Sequence, residues 1–404
     1  MSAVRVLVIA EFYPSRRDPV LGVWAHRQAL AARDAGAEVR VIVLHRLVPP
    51  RAALAAGPRA AASALAGLAR EPRAQVLDGL KVSYVPYVSP DRQRTYARWG
   101  AWAAPSLGVA MVRLHRSFSF DLVHAHNAVP AGDAVRRVRA ARAVRVPLVV
   151  SVHGGDVLYT AGRVPGGERA VHGALAEARL VLANSEGIAE LSRAQGARET
   201  RVVHLGTDLP AAARPPRQRR SGAAQTLVTV GHLVARKRHA DVLRALAVLT
   251  PRHPTLRYAI VGAGPERQAL EDLAARLEIA ERVDFHGQLP HEQAVELARS
   301  CTLFVMPSTE EAFGVAYVEA MAGGVPAIGC RGEPGPEEIA AAGDGLVLVP
   351  PGDIERLTQR IDELLSDPHR LHEVRQRARA TVAANFTWER CGRQTVDAYE
   401  YALR

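Results

Sequence analysis

The sequence predicts an α/β chain of two Rossmann-like, doubly wound domains, each a parallel sheet covered by helices. Three observations predict it. Apolar runs of strand length alternate with helical patterns along nearly the whole chain, and that alternation builds parallel sheets with helices on both faces. The 404 residues exceed one ordinary domain. A stretch rich in Pro, Ala and Arg, LPAAARPPRQRRSGAAQ at 209–225, has no period and reads as a linker between two sets of runs.

In the first half VRVLVIA, EVRVIVL, KVSYVPY, DLVHA, PLVVSV, RLVLAN and TRVVHL read as strands. Helical patterns lie near 25–35, 131–143 and 185–194. In the second half the strands are TLVTVG, RYAIVG, RVDFHG, CTLFVMPS, VPAIGC and GLVLVP. Helices near 239–249, 265–278, 291–299 and 315–322 separate several of them. Sheets of this kind bind ligands beyond the carboxyl ends of their strands, and two of them facing one another would leave a cleft.

Composition narrows the class. The three cysteines, Cys301, Cys330 and Cys391, are odd in number and widely spaced. They argue against a disulfide framework or a zinc ribbon and suit a reducing cytoplasm. The opening MSAVRVLVIAEFYP is too short an apolar run to span a membrane and lacks a charged leader and cleavage site. It reads as a buried first strand. Net charge is +11 and uneven: residues 1–214 carry 29 Lys+Arg against 16 Asp+Glu (+13), and 215–404 carry 23 against 25 (−2). An anionic partner for the first half follows, whether nucleic acid, acidic substrate or anionic membrane face. An arginine-rich bias on solvated faces is the plainer account. Only Lys81 and Lys237 among the 52 basic residues are lysine. Residues 51–73 are Ala-rich with Arg, and 92–116 combine Arg with Trp99 and Trp102. Helices of that composition either lie on a membrane face or are ordinary surface helices.

The most informative stretch is STEEAFGVAYVEAMAGGVPAIG, 308–329. A strand ends before it, and VAYVEAMA reads as a helix closed by Gly323-Gly324. The first-turn amides near Gly314, Val315 and Ala316 then form an anion site suited to phosphate. If the helix began early enough, Glu311 and Glu319 would stand about 12 Å apart, beyond either two-carboxylate glycosidase geometry. A nucleotide sugar fits better. Glu319 would accept from ribose hydroxyls and Glu311 from sugar hydroxyls, because a carboxylate offers two acceptor oxygens to a diol. In TVGHLVARKRH, 229–239, Lys237 lies in a loop at the carboxyl end of a strand. A fixed ammonium there stabilises charge developing on a departing diphosphate. In VSVHGGD, 150–156, His153 follows a strand and could bond a sugar hydroxyl or expose its carbonyl. His124 and His126 read as structural. VGAGPER, 261–267, is not a full dinucleotide fingerprint.

Together these motifs resemble glycosyltransferase family 4, retaining enzymes of the GT-B fold. The resemblance covers nearly the whole chain and includes FYP…LGVWAHRQAL, VSVHGGD, LANSE, HLGTD, VGHLVARK, VGAGPE, VDFHGQLPHE and the 308–329 stretch. It implies an acceptor-binding domain over 1–208, a linker at 209–225, a donor-binding domain over 226–385, and a last segment, 386–404, returning to the first domain. It implies catalytic roles for His153 and Glu311. Donor binding would use Gly22, His232, Lys237, Phe313, Gly314, Val315, Ala316 and Glu319. Phe313 and Gly314 would lie beside the sugar. The donor is a nucleoside-diphosphate sugar, and no metal or other cofactor is expected. Where relatives carry Arg two places after the strand, this chain has His232. Either Lys237 with Arg236 or Arg238 carries the phosphate charge, or His232 does so as a cation, and donor affinity then weakens as pH rises through about 6.5–7.5. The early loop has one glycine, Gly22, where many relatives have a pair. AYVEAMAGGVPAIGCRGEPGPEEI resembles the branch that assembles teichuronic acid and other polysaccharides. That branch implies a lipid-linked acceptor and a cytoplasmic protein peripheral on the membrane's inner face. A nucleotide-sugar epimerase on the same fold and a non-catalytic nucleotide-sugar or nucleic-acid binder are the competing readings. The set Lys237, Glu311, Glu319 and His153 disfavours nucleic acid.

Overall fold

The structure is a computed structural model that describes residues 3–15, 18–70, 72–210 and 225–404. Most of the expected linker, 211–224, lies outside the described residues. The chain forms two compact units, Met1–Val203 with Cys391–Arg404, and His204–Arg390.

Unit 1 carries an eight-stranded sheet of β1 (Arg5–Ala10), β2 (Glu38–Arg46), β3 (Ala74–Leu77), β4 (Leu80–Tyr87), β5 (Leu122–His126), β6 (Leu148–Val152), β7 (Leu180–Ala183) and β8 (Thr200–Val202). Their order is β3-β4-β2-β1-β5-β6-β7-β8. Strands β5, β6 and β7 are buried at every position, which is why they read as unbroken apolar runs. Strand β3 was not expected. It pairs antiparallel with β4 through Asp78-Gly79, both at positive φ (48° and 82°). Asp-Gly between two short strands is the sequence signature of such a hairpin.

Unit 2 carries β9 (Thr226–Val230), β10 (Arg257–Val261), β11 (Val283–Gly287), β12 (Leu303–Val305), β13 (Ala327–Cys330) and β14 (Leu346–Val349), in the order β11-β10-β9-β12-β13-β14. Every pairing in this sheet is parallel. Leu227, Leu303, Ile328 and Val349 from four strands meet Val242, Leu246 and Leu249 of helix His239–Leu249 in one core. The strand order reverses between β1 and β5 in unit 1 and between β9 and β12 in unit 2. Loops leaving those strands diverge there and open a crevice at the sheet's carboxyl edge.

The chain leaves unit 1 after Val203 and returns at Cys391, whereas the expected boundaries were 208 and 386. The cause is a bridge inside unit 2. Thr207 pairs with Thr387, its N–H donates to Phe386 O at 2.9 Å, and Gly206 lies so close to Thr387 that a Cβ there would come within 2.3 Å of its carbonyl carbon. Helix Trp388–Leu403 then enters unit 1. Gln28 donates to Thr395 Oγ1 at 3.1 Å, and Tyr399 is fully buried against His124.

The three cysteines are buried free thiols. Burial pushes Cys330 up to about 11 and Cys391 up to about 12. No helix among the described residues is long and apolar enough to cross a membrane. Trp99 is 1% exposed and serves the core, whereas Trp102 is half-buried. Helix Pro58–Ala69, by contrast, has no buried residue.

A Cβ at Gly392 would lie 2.1 Å from Ala31 O, a backbone atom with nowhere to move. Gly392→Val is therefore expected to lower unfolding free energy by about 2–3 kcal/mol through overpacking. Urea denaturation followed by circular dichroism measures it, and an unchanged midpoint would mean that the last helix is not seated against helix Val23–Asp34 as described.

Candidate functional site

The switch point of unit 2 gathers most of the residues singled out from sequence. Strand β9 leads into Gly231, exposed His232, buried Leu233 and the turn Ala235–Lys237. Two glycines of the VGAGPE stretch hold this loop down. A Cβ at Gly262 would lie 2.0 Å from Gly231 O, and one at Gly264 would lie 2.3 Å from Leu233 O. Those glycines therefore serve close backbone packing, which accounts for the incomplete fingerprint.

The turn points Lys237 inward, leaving it 8% exposed. Its ammonium donates to Glu311 Oε2 at 2.5 Å and touches Met306 Sδ at 3.6 Å. Ser308 Oγ donates to the same carboxylate oxygen at 2.9 Å. Burial pushes the Glu311 carboxyl upward, but the charge and hydrogen bond of Lys237, with Arg236 and Ser308, hold it below the usual range. Of the two arginines beside Lys237, Arg236 faces the Glu311 loop. Its carbonyl accepts from Thr309 N–H at 2.8 Å and its guanidinium reaches Glu310 O at 3.4 Å. Arg238 is turned to Asp241 at 2.6 Å. His232 stands exposed beside them.

Helix Val315–Ala322 begins after Gly314, which is left-handed at φ 82°. Glu311 therefore sits in the loop, four residues before the helix, and the helical spacing assumed between it and Glu319 does not apply. A Cβ on Gly314 would strike the Tyr317 ring at 2.4 Å. Gly314, Val315 and Ala316 are half-buried, and their amides take no partner among the described residues, as first-turn amides do. Glu319 is 9% exposed. Its carboxylate lies 3.3 Å from His291 Nε2, and its carbonyl accepts from Arg299 at 2.9 Å. Phe313 differs from expectation. Its ring is 1% exposed, stacked 5.9 Å from His204 and edge-on to Phe386. It anchors the loop from below, so only its backbone is available to a ligand.

One residue of this unit escaped the sequence reading. Glu333 follows β13 and accepts the Glu311 N–H at 2.8 Å, with a further backbone bond from Glu310. Burial pushes its carboxyl upward. The available signal was its place, a carboxylate just past the carboxyl end of the strand next to β12.

Unit 1 holds Gly22 and His153. Gly22 is left-handed (φ 68°) and caps helix Val23–Asp34. A Cβ there would lie 2.2 Å from the Phe12 carbonyl, so the position requires glycine. His153 follows β6, half-buried, with its Nε2 2.9 Å from His126 Nδ1. The HGGD motif owes its Asp to structure. Asp156 accepts the N–H groups of Ala128 (2.8 Å) and Val129 (3.1 Å) in the loop after β5. Burial raises its carboxyl to about 6 against the pull of those amides. Glu11, at the end of β1, is raised to about 7 by burial, opposed by Arg92 and by the Tyr96 hydroxyl donating at 2.8 Å. Burial lowers His124 to about 3 and His153 to about 4.

Residues 21–210 match the family described as Glycosyltransferase Family 4, and residues 214–381 match Glycosyl transferases group 1. The chain is 30% identical over 341 residues to a D-inositol 3-phosphate glycosyltransferase of Streptomyces bingchenggensis, covering 77% of this chain and 70% of that one. Among solved structures it resembles a sucrose-phosphate synthase from Thermosynechococcus elongatus (TM-score 0.76, 20% identity, 98% of each chain). It also resembles Anabaena HepE solved with UDP and glucose (TM-score 0.70, 21% identity, 98% of this chain and 100% of that one). At such identities the structural likeness speaks for the fold.

Protonation gives the site of unit 1 a pH signature. The folded pKa of His153 lies below its ordinary value, so its contribution to stability is full above about pH 6.5 and is lost as pH falls toward 4. Glu11 and Asp156, raised when folded, act in the opposite sense, their contributions being lost as pH rises through about 7 and about 6. The difference between wild type and His153→Gln isolates the histidine. Between pH 6.5 and 4 the wild type should lose up to ~3 kcal/mol relative to the variant. Denaturation at a series of pH values measures it, and parallel pH profiles would show that the ring is not held neutral.

Proposed function

We propose that this chain, which belongs to glycosyltransferase family 4 and is a GT-B glycosyltransferase, moves a sugar from a nucleoside-diphosphate donor to an acceptor hydroxyl with retention of anomeric configuration. One observation carries the donor reading. At the switch point of unit 2, a buried Lys237–Glu311 pair (2.5 Å) ties the turn after β9 to the loop that runs into the amides opening helix Val315–Ala322. The diphosphate lies over those amides, where aligned N–H groups favour an anion. Lys237 meets the charge that grows on the diphosphate as the bond to the anomeric carbon breaks. Glu319 holds the ribose hydroxyls. Glu311 bonds hydroxyls of the sugar, and His153 is assigned to a substrate hydroxyl. The acceptor oxygen attacks on the face the diphosphate leaves, and its proton passes to a diphosphate oxygen, so no covalent sugar–enzyme bond forms. The UDP and glucose in the HepE structure support this class of donor.

The acceptor reading assigns the chain to cell-surface polysaccharide or glycolipid assembly at an anionic membrane face. Helix Pro58–Ala69 supports it. By helical spacing, its exposed side carries Leu65 with Ala62, Ala66 and Ala69, flanked by Arg59 and Arg70. The sequence from 51 to 70 has no acidic residue. Such a face suits the headgroup boundary of an anionic bilayer. A groove of about 570 Å³ is lined by Leu54, Val48, Pro49, Pro50 and Pro90, with Arg46, Arg92 and Asp91. Apolar walls with two guanidinium groups against one carboxylate suit a lipid-linked acceptor.

Thermal melting with UDP, GDP, ADP, TDP and their sugar conjugates tests the donor site. One nucleotide at 100 times its Kd should stabilise the protein by about 2.7 kcal/mol, and Lys237→Ala and Glu319→Ala should abolish the shift. No shift from a folded protein would remove the donor reading. A released or isomerised sugar without transfer would identify an epimerase instead.

Flotation with vesicles tests the membrane face. Binding to phosphatidylserine-containing vesicles but not to neutral ones is expected. Arg59→Glu with Arg70→Glu should weaken it about tenfold or more, at about 1 kcal/mol per basic residue. Equal binding to both vesicle types, or none, would withdraw that assignment.

A further inference from the structure

Glu333 stands at the cap position of helix Pro334–Ala341. A carboxylate there ordinarily accepts amides of its own first turn. Asp353 and Asp367 do so, from Arg356 N–H at 2.8 Å and Arg370 N–H at 2.9 Å. Glu333 makes no such bond to its own helix. The helix opens Pro334-Gly335-Pro336, and proline has no N–H to offer. Gly335 alone of the three carries one, and it donates to Glu311 O at 3.0 Å. The Glu333 carboxylate turns instead to the loop after β12, where it accepts Glu311 N–H at 2.8 Å and the N–H of Glu310.

Two successive amides reach one carboxylate because Glu310 is left-handed, at φ 55°. That backbone is costly for any residue but glycine, and successive N–H groups turned to one side around it make a concave anion seat. Here the anion is the protein's own. Residues 333–335 thereby hold both backbone groups of Glu311. A Cβ on Gly335 would lie 2.2 Å from Phe313 Cα, so the two segments touch with no side chain between them. The Glu311 side chain then has a defined outlook. Lys237 and Ser308 both bond its Oε2. Its Oε1 takes no hydrogen bond among the described residues and is not sealed from solvent. That is the oxygen open to a ligand.

We propose that Glu333 is a positioning residue for the donor sugar: by taking the amides of Glu310 and Glu311 it fixes where Glu311 Oε1 stands. The proposal rests on the donor reading of unit 2, and its test separates the two. The clamp acts on the sugar more than on the diphosphate, because Phe313, just ahead of the amides that open helix Val315–Ala322, has its own anchor on His204 and Phe386.

Hydrogen exchange of the full chain without ligand reads the clamp. In Glu333→Ala the amides of Glu310 and Glu311 should exchange about tenfold faster than in wild type. Glu333→Gln keeps one acceptor oxygen and should fall between the two. Titration with UDP, GDP, ADP, TDP and their sugar conjugates reads the consequence. For the nucleotide that binds wild type, Glu333→Ala should weaken the sugar conjugate about tenfold and the bare diphosphate about threefold at most. Glu333→Gln should recover part of that loss. A role in packing alone would weaken both ligands alike. Unchanged exchange in Glu333→Ala, or equal weakening of conjugate and diphosphate, would overturn the proposal. If the alanine variant fails to fold, a glutamine variant matching wild type in both readouts overturns it. Wild type that binds none of the nucleotides, beside fast exchange in Glu333→Ala, would defeat the donor reading and with it the role toward the sugar, and leave the clamp standing.

Discussion

A lysine ammonium and a glutamate carboxylate meet inside unit 2, and two loops depend on that meeting. Each ion has lost most of its water, which costs several kcal/mol unless the partner and further hydrogen bonds replace it. Here they do. Glu311 receives Lys237 and Ser308 on one oxygen, while its own N–H is held by Glu333. The loop after β9 is thereby tied to the loop after β12, and a second tie runs from Thr309 N–H to Arg236 O. Parallel topology makes the meeting possible, because β9 and β12 are neighbours in the sheet although dozens of residues separate them in the chain. A charge already desolvated and fixed needs no reorganisation when an anion arrives.

Much of this was legible beforehand. The buried parallel strands read as apolar runs because both their faces are covered, and the helix behind Gly314 was marked by its own periodicity. Lys237 was visible because the chain uses arginine almost everywhere else. What stayed hidden depends on contacts distant in sequence. Nothing near Phe313 says that its ring turns down onto His204 and Phe386, and a backbone bond from Glu311 to Glu333 leaves no mark in a pattern. The hairpin at Asp78-Gly79 did carry a signal, a turn dipeptide before the strand read at KVSYVPY, but β3 is too short and half-exposed to stand out. Boundaries slipped by a few residues because the Thr207–Thr387 bridge, not composition, decides where a unit ends.

Unit 1 keeps its polar interior differently. Beside a buried Asp133 paired with Arg136 and Arg137, it buries neutral imidazoles, tyrosine hydroxyls and two carboxyls, Glu11 and Asp156, that burial pushes toward the protonated form. Asp156 shows why HGGD belongs together. The same turn that presents His153 also sends a carboxyl back to clamp the loop following β5. Position of the histidine and shape of the neighbouring loop are thus one structural decision.

The return of the chain into unit 1 has a consequence for biosynthesis. Residues 391–404 close over His124 and helix Val23–Asp34, yet ribosomes make them after the whole of unit 2. Unit 2 is a continuous segment that can complete its core while still tethered. Unit 1 emerges first but must wait, with the groove for Tyr399 open, until the last helix is released. The first half of the nascent chain is therefore the last to mature, and it is the half that chaperones would have to shield.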